Sequence, residues 1–230
     1  MKNKVVALMM LMGVATTANA QFGNLVGGLL GGAASAGAGG GGDVGVMVEE
    51  FNRDANNINE AVTYSLIQIV AALGDKKQIA EVKAVNDSLA KTTDPKEKGS
   101  IQGTAIKEQS AVAGELLKSQ EAKDKIAKMS PEMQKKVGQS IFAVGVASLQ
   151  IPIAMLRGKQ IVASIGSNPF NITKVLPVKD GLLIFSDVVP KLPTIVTTGY
   201  QLMRDVKIEP GNATKESKLV ADKEPVFPQE

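Results

Sequence analysis

The sequence predicts an all-α protein, an elongated antiparallel bundle of about five helices. Three observations carry this expectation. Apolar residues in Val44–Leu73 recur at helical spacing. Residues 137–156 run twenty positions without a charge, between Lys136 and Arg157. Helix-start signals divide the rest of the chain at Asp75, at Asp94-Pro95 and at Ser130-Pro131.

Residues 1–20 read as a secretory signal peptide. Lys2 and Lys4 form the basic start, residues 5–14 the short apolar core, and Ala18-Asn19-Ala20 the small-residue cleavage site. Cleavage after Ala20 delivers the chain to the periplasm of a bacterial envelope, peripheral to the membrane or secreted. No cysteine follows that site to carry a lipid anchor. Without Lys2 and Lys4 the formal charge of +3 falls to +1. The electrostatic footprint of a nucleic-acid binder is therefore missing, and none is expected as partner. With no Cys for disulfides, stability rests on packing. Aromatics are scarce, so the core is one of Ile, Leu, Val, Ala and Met.

Residues 21–42 are uncharged and Gly-rich, and read as a disordered N-terminus or linker. Gly23, Gly27 and Gly31 nevertheless fall four apart, with Leu29 and Leu30 among the apolar residues near them. That small-xxx-small spacing lets helix backbones approach closely in lipid. No Lys-Ser or Lys-Thr closes the segment, so it is not a phosphate loop.

A helical domain is expected over 43–208. In Val44–Leu73 the apolar positions advance in steps of three, four and four: Val44, Met47, Phe51, Ala55, Ile58, Val62, Leu66, Ile69 and Leu73. The stripe suits a partner helix, in this chain or in a second copy. The opposite face, with Glu49, Arg53, Asp54 and several Asn, reads as solvated. Gly74 is placed to take a left-handed C-terminal conformation, and Asp75 with Gln78 to form a capping box. The next helix covers Lys76–Lys91. Asp94 caps another that can run over 95–129, and Ser130 with Pro131 starts a third.

That third helix becomes apolar on every side across 137–156. Its length suits either the core of a bundle or a membrane span. Gln139, Ser140, Ser148, Gln150 and Pro152 argue for the core. The helix continues to Ile165. Residues 169–179 read as an irregular connection or a short extended piece, Asp180 as the cap of a further apolar segment, and Pro190 and Pro193 as a division before a last helix over 194–206. Residues 209–230 have few apolar side chains and are expected to form a disordered tail.

Absence of His and Cys removes imidazole acid–base catalysis, thiol nucleophiles and ordinary zinc or copper sites. No cofactor is expected. Asp187 is a lone carboxylate in an apolar segment, read as facing solvent. Arg157 and Lys159 suit a helix C-terminus or lipid headgroups. The expectation is thus a non-enzymatic exported protein that binds an apolar surface, whether membrane, lipid or partner protein, with a membrane-inserting version. Candidate contacts are Gly23, Gly27, Gly31, Leu29 and Leu30 in the Gly-rich segment, and Phe142, Val146, Leu149 and Ile153 in the apolar run. The alternatives are a soluble periplasmic assembly factor that self-associates through Val44–Leu73, and a carboxylate-based hydrolase. The last fits poorly, since sugar-cleaving sites add aromatic platforms.

Overall fold

The computed structural model describes residues 44–165 and 172–228. Among them are seven α-helices and no strand: α1 (Val44–Leu73), α2 (Lys76–Lys91), α3 (Pro95–Leu116), α4 (Gln120–Lys128), α5 (Pro131–Ile165), α6 (Ile172–Val188) and α7 (Leu192–Asp205). The all-α expectation holds. The count of about five is corrected to seven, for two local reasons.

The first is at Ser119. Its Oγ accepts from the Ala122 N–H at 3.0 Å and donates to the Leu116 carbonyl at 2.8 Å. A serine that bonds the backbone on both sides ends one helix and starts the next. The single helix expected over 95–129 is therefore α3 and α4. The second is Pro177, which lies inside α6 rather than in an irregular connection. Its ring removes one ladder bond, and the helix carries on through Asp180, which is not a cap. The Pro190–Pro193 stretch does divide the chain as expected, and α6 and α7 meet at 51°.

Helix α1 organises the packing. It contacts α5 most extensively, then α3, α2 and α6. Up to Glu60 it is amphipathic, and beyond it every residue from Ala61 to Gly74 is buried. Leu66, Ile67, Ile69 and Val70 are fully enclosed. Each such side chain contributes about 1.5–3 kcal/mol relative to exposure. The helix enclosed on all sides is thus the second half of α1. The uncharged run of α5 keeps an outward side. The stripe of α1 that suited a second copy is consumed within the chain: Phe51, Ala55, Ile58, Val62, Leu66, Ile69 and Leu73 are all buried.

Small residues set the closest approaches. Phe51 lies between α5 and α6, where a Cβ on Gly158 would sit 2.7 Å from its Cε2 and one on Gly181 3.1 Å from its Cε1. Gly199 of α7 rests on Ile141 of α5 in the same way, at 2.9 Å. Gly74 is not left-handed; among the described residues only Lys207 and Gly211 have positive φ. It is glycine because a Cβ would lie 2.6 Å from the Val70 carbonyl oxygen. The orphan carbonyls at this helix end are met by Lys125 of α4, whose Nζ donates to Leu73 and Gly74 at 2.9 and 3.1 Å. Asp75 with Gln78 forms the expected capping box, and Asp94 caps α3 ahead of Pro95.

The expected disordered tail is corrected to a placed, extended segment. Helix α7 ends in a Schellman motif: Ile208 N–H bonds the Met203 carbonyl and Lys207 N–H that of Arg204, with Lys207 at φ 62° where glycine is usual. The chain then runs out along α5. Ile208 and Pro210 lie by Gly138, Gly211 by Phe142 and Ala213 by Gly145. Gln150 Nε2 donates to the carbonyls of Lys215 and Ser217. A turn over Thr214 and Ser217 reverses the direction. On the way back, Lys136 pairs with Asp222 at 3.0 Å, Lys223 with Glu60 at 2.8 Å, and Val226 with Gln68. Composition suggested disorder because this segment has little apolar content. Leu219, Ala221 and Phe227 still pack on the core, and backbone groups find partners on α1 and α5.

Candidate functional site

Of the candidate contacts, Gly23, Gly27, Gly31, Leu29 and Leu30 lie outside the described residues. Phe142, Val146, Leu149 and Ile153 fall on one side of α5. At 100° per residue their positions lie within about 60° of one another. Val146 is fully buried, while Phe142, Leu149 and Ile153 are half-buried. Leu156, one turn past Pro152, extends the same side and is half-buried too. The helix is long and apolar enough by composition to cross a membrane, and half of its apolar window is buried within the chain.

The C-terminal strap, residues 206–228, lies over the first part of this face. Gly211 approaches the Phe142 ring at 3.5 Å from a Cβ position, and Ala213 Cβ lies 3.2 Å from where a Cβ on Gly145 would be. The last hydrogen bonds from α5 to the strap are at Gln150. Ile153 and Leu156 lie beyond that point on the same side. Under the returning leg is a cleft of about 600 Å³, lined by Tyr64, Ser65, Ser140, Phe142 and Val220 among others. Val220 is 61% exposed, so this leg spans the cleft and does not fill it.

Charges tie the strap to the helices. Glu60 of α1 accepts from Lys98 of α3 at 2.7 Å and from Lys223 of the strap at 2.8 Å. Burial alone would raise the Glu60 pKa, but the Lys223 and Lys98 hydrogen bonds outweigh it and hold the carboxyl below its ordinary value. Lys98 is pushed up by the Glu60 hydrogen bond, against the effect of its own burial. Burial pushes the Tyr200 phenol up. Its hydroxyl faces the Ala213 backbone without reaching hydrogen-bond geometry. Sequence reasoning missed Glu60 and Gln68. The available signal was their place in the amphipathic-to-apolar transition of α1, where a polar side chain needs a partner.

The remaining charged candidates are surface groups. Asp187 is 60% exposed and sits 4.0 Å from Lys107. Arg157 reaches Asp54 of α1 at 3.3 Å, and Lys159 is exposed. Among the described residues no cluster of three or more acidic side chains has metal-binding geometry. Thr63 Oγ1 and Gln102 Nε2 are buried without a hydrogen-bond partner among those residues. Comparison with protein-family models, with curated proteins and with solved structures finds no match to this chain.

Proposed function

We propose that this is an exported, non-catalytic helical-bundle protein of the bacterial envelope that docks on a lipid surface through the outer face of α5. The observation that carries the reading is the row Leu149, Ile153 and Leu156. These three apolar side chains are half-buried on the outward side of a helix with the length and composition of a span. Arg157 and Lys159, exposed just past the row, suit headgroup phosphates. The Gly-rich segment with Gly23, Gly27, Gly31, Leu29 and Leu30 is a second apolar contact in this reading. Docking is peripheral: α5 is held in the bundle by buried Val137, Ile141, Val144 and Ile151, which lipid does not replace without unfolding the core.

The test is flotation of the full chain with vesicles of phosphatidylethanolamine and phosphatidylglycerol, followed by a carbonate wash. Peripheral docking floats the protein and releases it at high pH. Replacing Ile153 and Leu156 by Asp abolishes flotation while the helical circular dichroism is kept. A protein that ignores vesicles, or floats equally well with both aspartates, overturns the reading. In the first case a protein partner for the same face becomes the better account.

A further inference from the structure

The strap and the proposed docking face are not independent. The face is a single row: Phe142, Val146, Leu149, Ile153. Its far end, Leu149 and Ile153, is half-buried, as Phe142 is. Its near end is covered by residues of the strap, which crosses Phe142 at Gly211 and passes Gly145 at Ala213 before turning at Gln150. The strap thus lies on the first part of an apolar row that continues past it to Ile153.

How the cover is held bears on whether it can leave. It has no regular secondary structure beyond the turn at 214–217, so no helix or sheet stabilises it from within. Its return leg spans a cleft. None of residues 206–228 is fully buried: Val206, Ile208, Leu219, Ala221 and Phe227 pack half-buried on the core, and polar pairs join Lys136 to Asp222, Glu60 to Lys223, Gln150 to two strap carbonyls and Gln68 to Val226. Segments with few buried apolar contacts and exposed hydrogen bonds open at low free energy. The strap leaves α7 at the Lys207 cap, where the positive φ turns the chain away from the helix. Opening there leaves the α7–α5 contact of Gly199 on Ile141 in place.

Resting on the docking reading above, we infer that residues 206–228 are a displaceable cover. The lipid surface that meets Ile153 and Leu156 competes with the strap for Phe142, and the strap lifts as the row docks. A surface with affinity for the uncovered form shifts the chain toward it by as much as that difference in affinity.

The chain contains no cysteine, so a disulfide lock can be installed cleanly. Gly145→Cys with Ala213→Cys places the two Cβ positions 3.2 Å apart, against the roughly 3.5–4.5 Å that a disulfide needs, a shift of a few tenths of an ångström. The double variant is floated, oxidised and reduced, on vesicles of phosphatidylethanolamine and phosphatidylglycerol. The expected result is at least about tenfold weaker flotation when oxidised than when reduced, because the locked chain cannot reach the open state. Equal flotation of the two forms, with wild type also floating, overturns the cover and leaves the docking reading standing. If neither wild type nor variant floats, docking itself fails and the cover falls with it. A second measurement needs no substitution: hydrogen exchange of the wild-type chain with and without vesicles. The Val226 amide, bonded to Gln68, must lose protection on docking; unchanged protection in floated protein overturns the proposal.

Discussion

Gln68, in the fully buried half of α1, holds the backbone of Val226, 158 residues further along. Its Oε1 accepts the Val226 N–H at 2.8 Å and its Nε2 donates to the Val226 carbonyl at 3.4 Å. One side-chain amide thus imitates a strand and gives the chain end a backbone partner. Nε2 also lies 3.6 Å from the Met133 sulfur, which places this clamp where α1, α5 and the strap meet.

Replacing Gln68 by Leu removes both bonds and keeps the volume. The expected cost is about 1–2 kcal/mol, since Val226 can turn to water once freed. Exchange at Val226 should rise well before that of the α1 amides. Unaltered protection at Val226 would sink the idea that Gln68 anchors the strap.

Lys125 is the remote cap of α1. Lys125→Met strands the carbonyls of Leu73 and Gly74, and about 1–2 kcal/mol of stability should go, with the ammonium partly exposed. Chemical denaturation measures it. Glu121, its exposed i,i+4 partner, serves as control, because Glu121→Gln should cost only a few tenths of a kcal/mol.

At the crossing of α1, α5 and α6, Gly158→Ala drives a methyl into the Phe51 ring. Overpacking of this kind costs about 1–3 kcal/mol. Phe51→Leu should lose stability alone yet relieve part of the Gly158→Ala penalty when combined with it. A double-mutant cycle of thermal melts shows the coupling, and strict additivity would count against the ring as the obstacle.

Lys207 is a substitution site of the opposite sign. Its left-handed backbone costs a non-glycine residue about 1 kcal/mol, and Lys207→Gly recovers part of that after the extra freedom of glycine in the unfolded chain. A small rise in melting temperature is expected, whereas Lys207→Ala should change it little.

Glu60 makes the strap sensitive to acid. Its folded pKa lies below the unfolded value near 4.5, so the folded state favours the charged form. The stability from this group is fully present above the unfolded pKa and is lost as pH falls through the lower folded one. Exchange of strap amides should therefore quicken in that acid window. In Glu60→Gln the dependence should flatten. An identical pH profile in the variant would remove Glu60 from the attachment.

Legibility varied with the range of the interactions involved. The apolar period marked α1, and the Asp75–Gln78 capping box marked the start of α2, because apolar spacing and an Asp side chain three residues from its N–H are local facts. The division at Ser119 and the helical path through Pro177 were not visible. Serine occurs inside helices as well as at their starts, and a proline stops a helix only when packing does not hold it. Of the candidate face, the common side of Phe142, Val146, Leu149 and Ile153 follows from spacing. Nothing in spacing says that a distant strap lies over Phe142.

The amino-acid order by itself determined that the chain is helical, where most helices begin, and which chemistries its lack of His and Cys removes. These depend on residue identity and near neighbours. The uniformly apolar stretch from Ser65 to Leu73 already pointed to deep burial, whereas tertiary structure decided that the longer run in α5 keeps an outward side. It also decided that residues 206–228 are held, through Gln68, Glu60, Lys136 and Gln150. A segment poor in apolar residues cannot order itself. It is ordered here because buried and half-buried polar groups of α1 and α5 lack partners until the strap arrives, and that complementarity exists only between positions far apart in the chain.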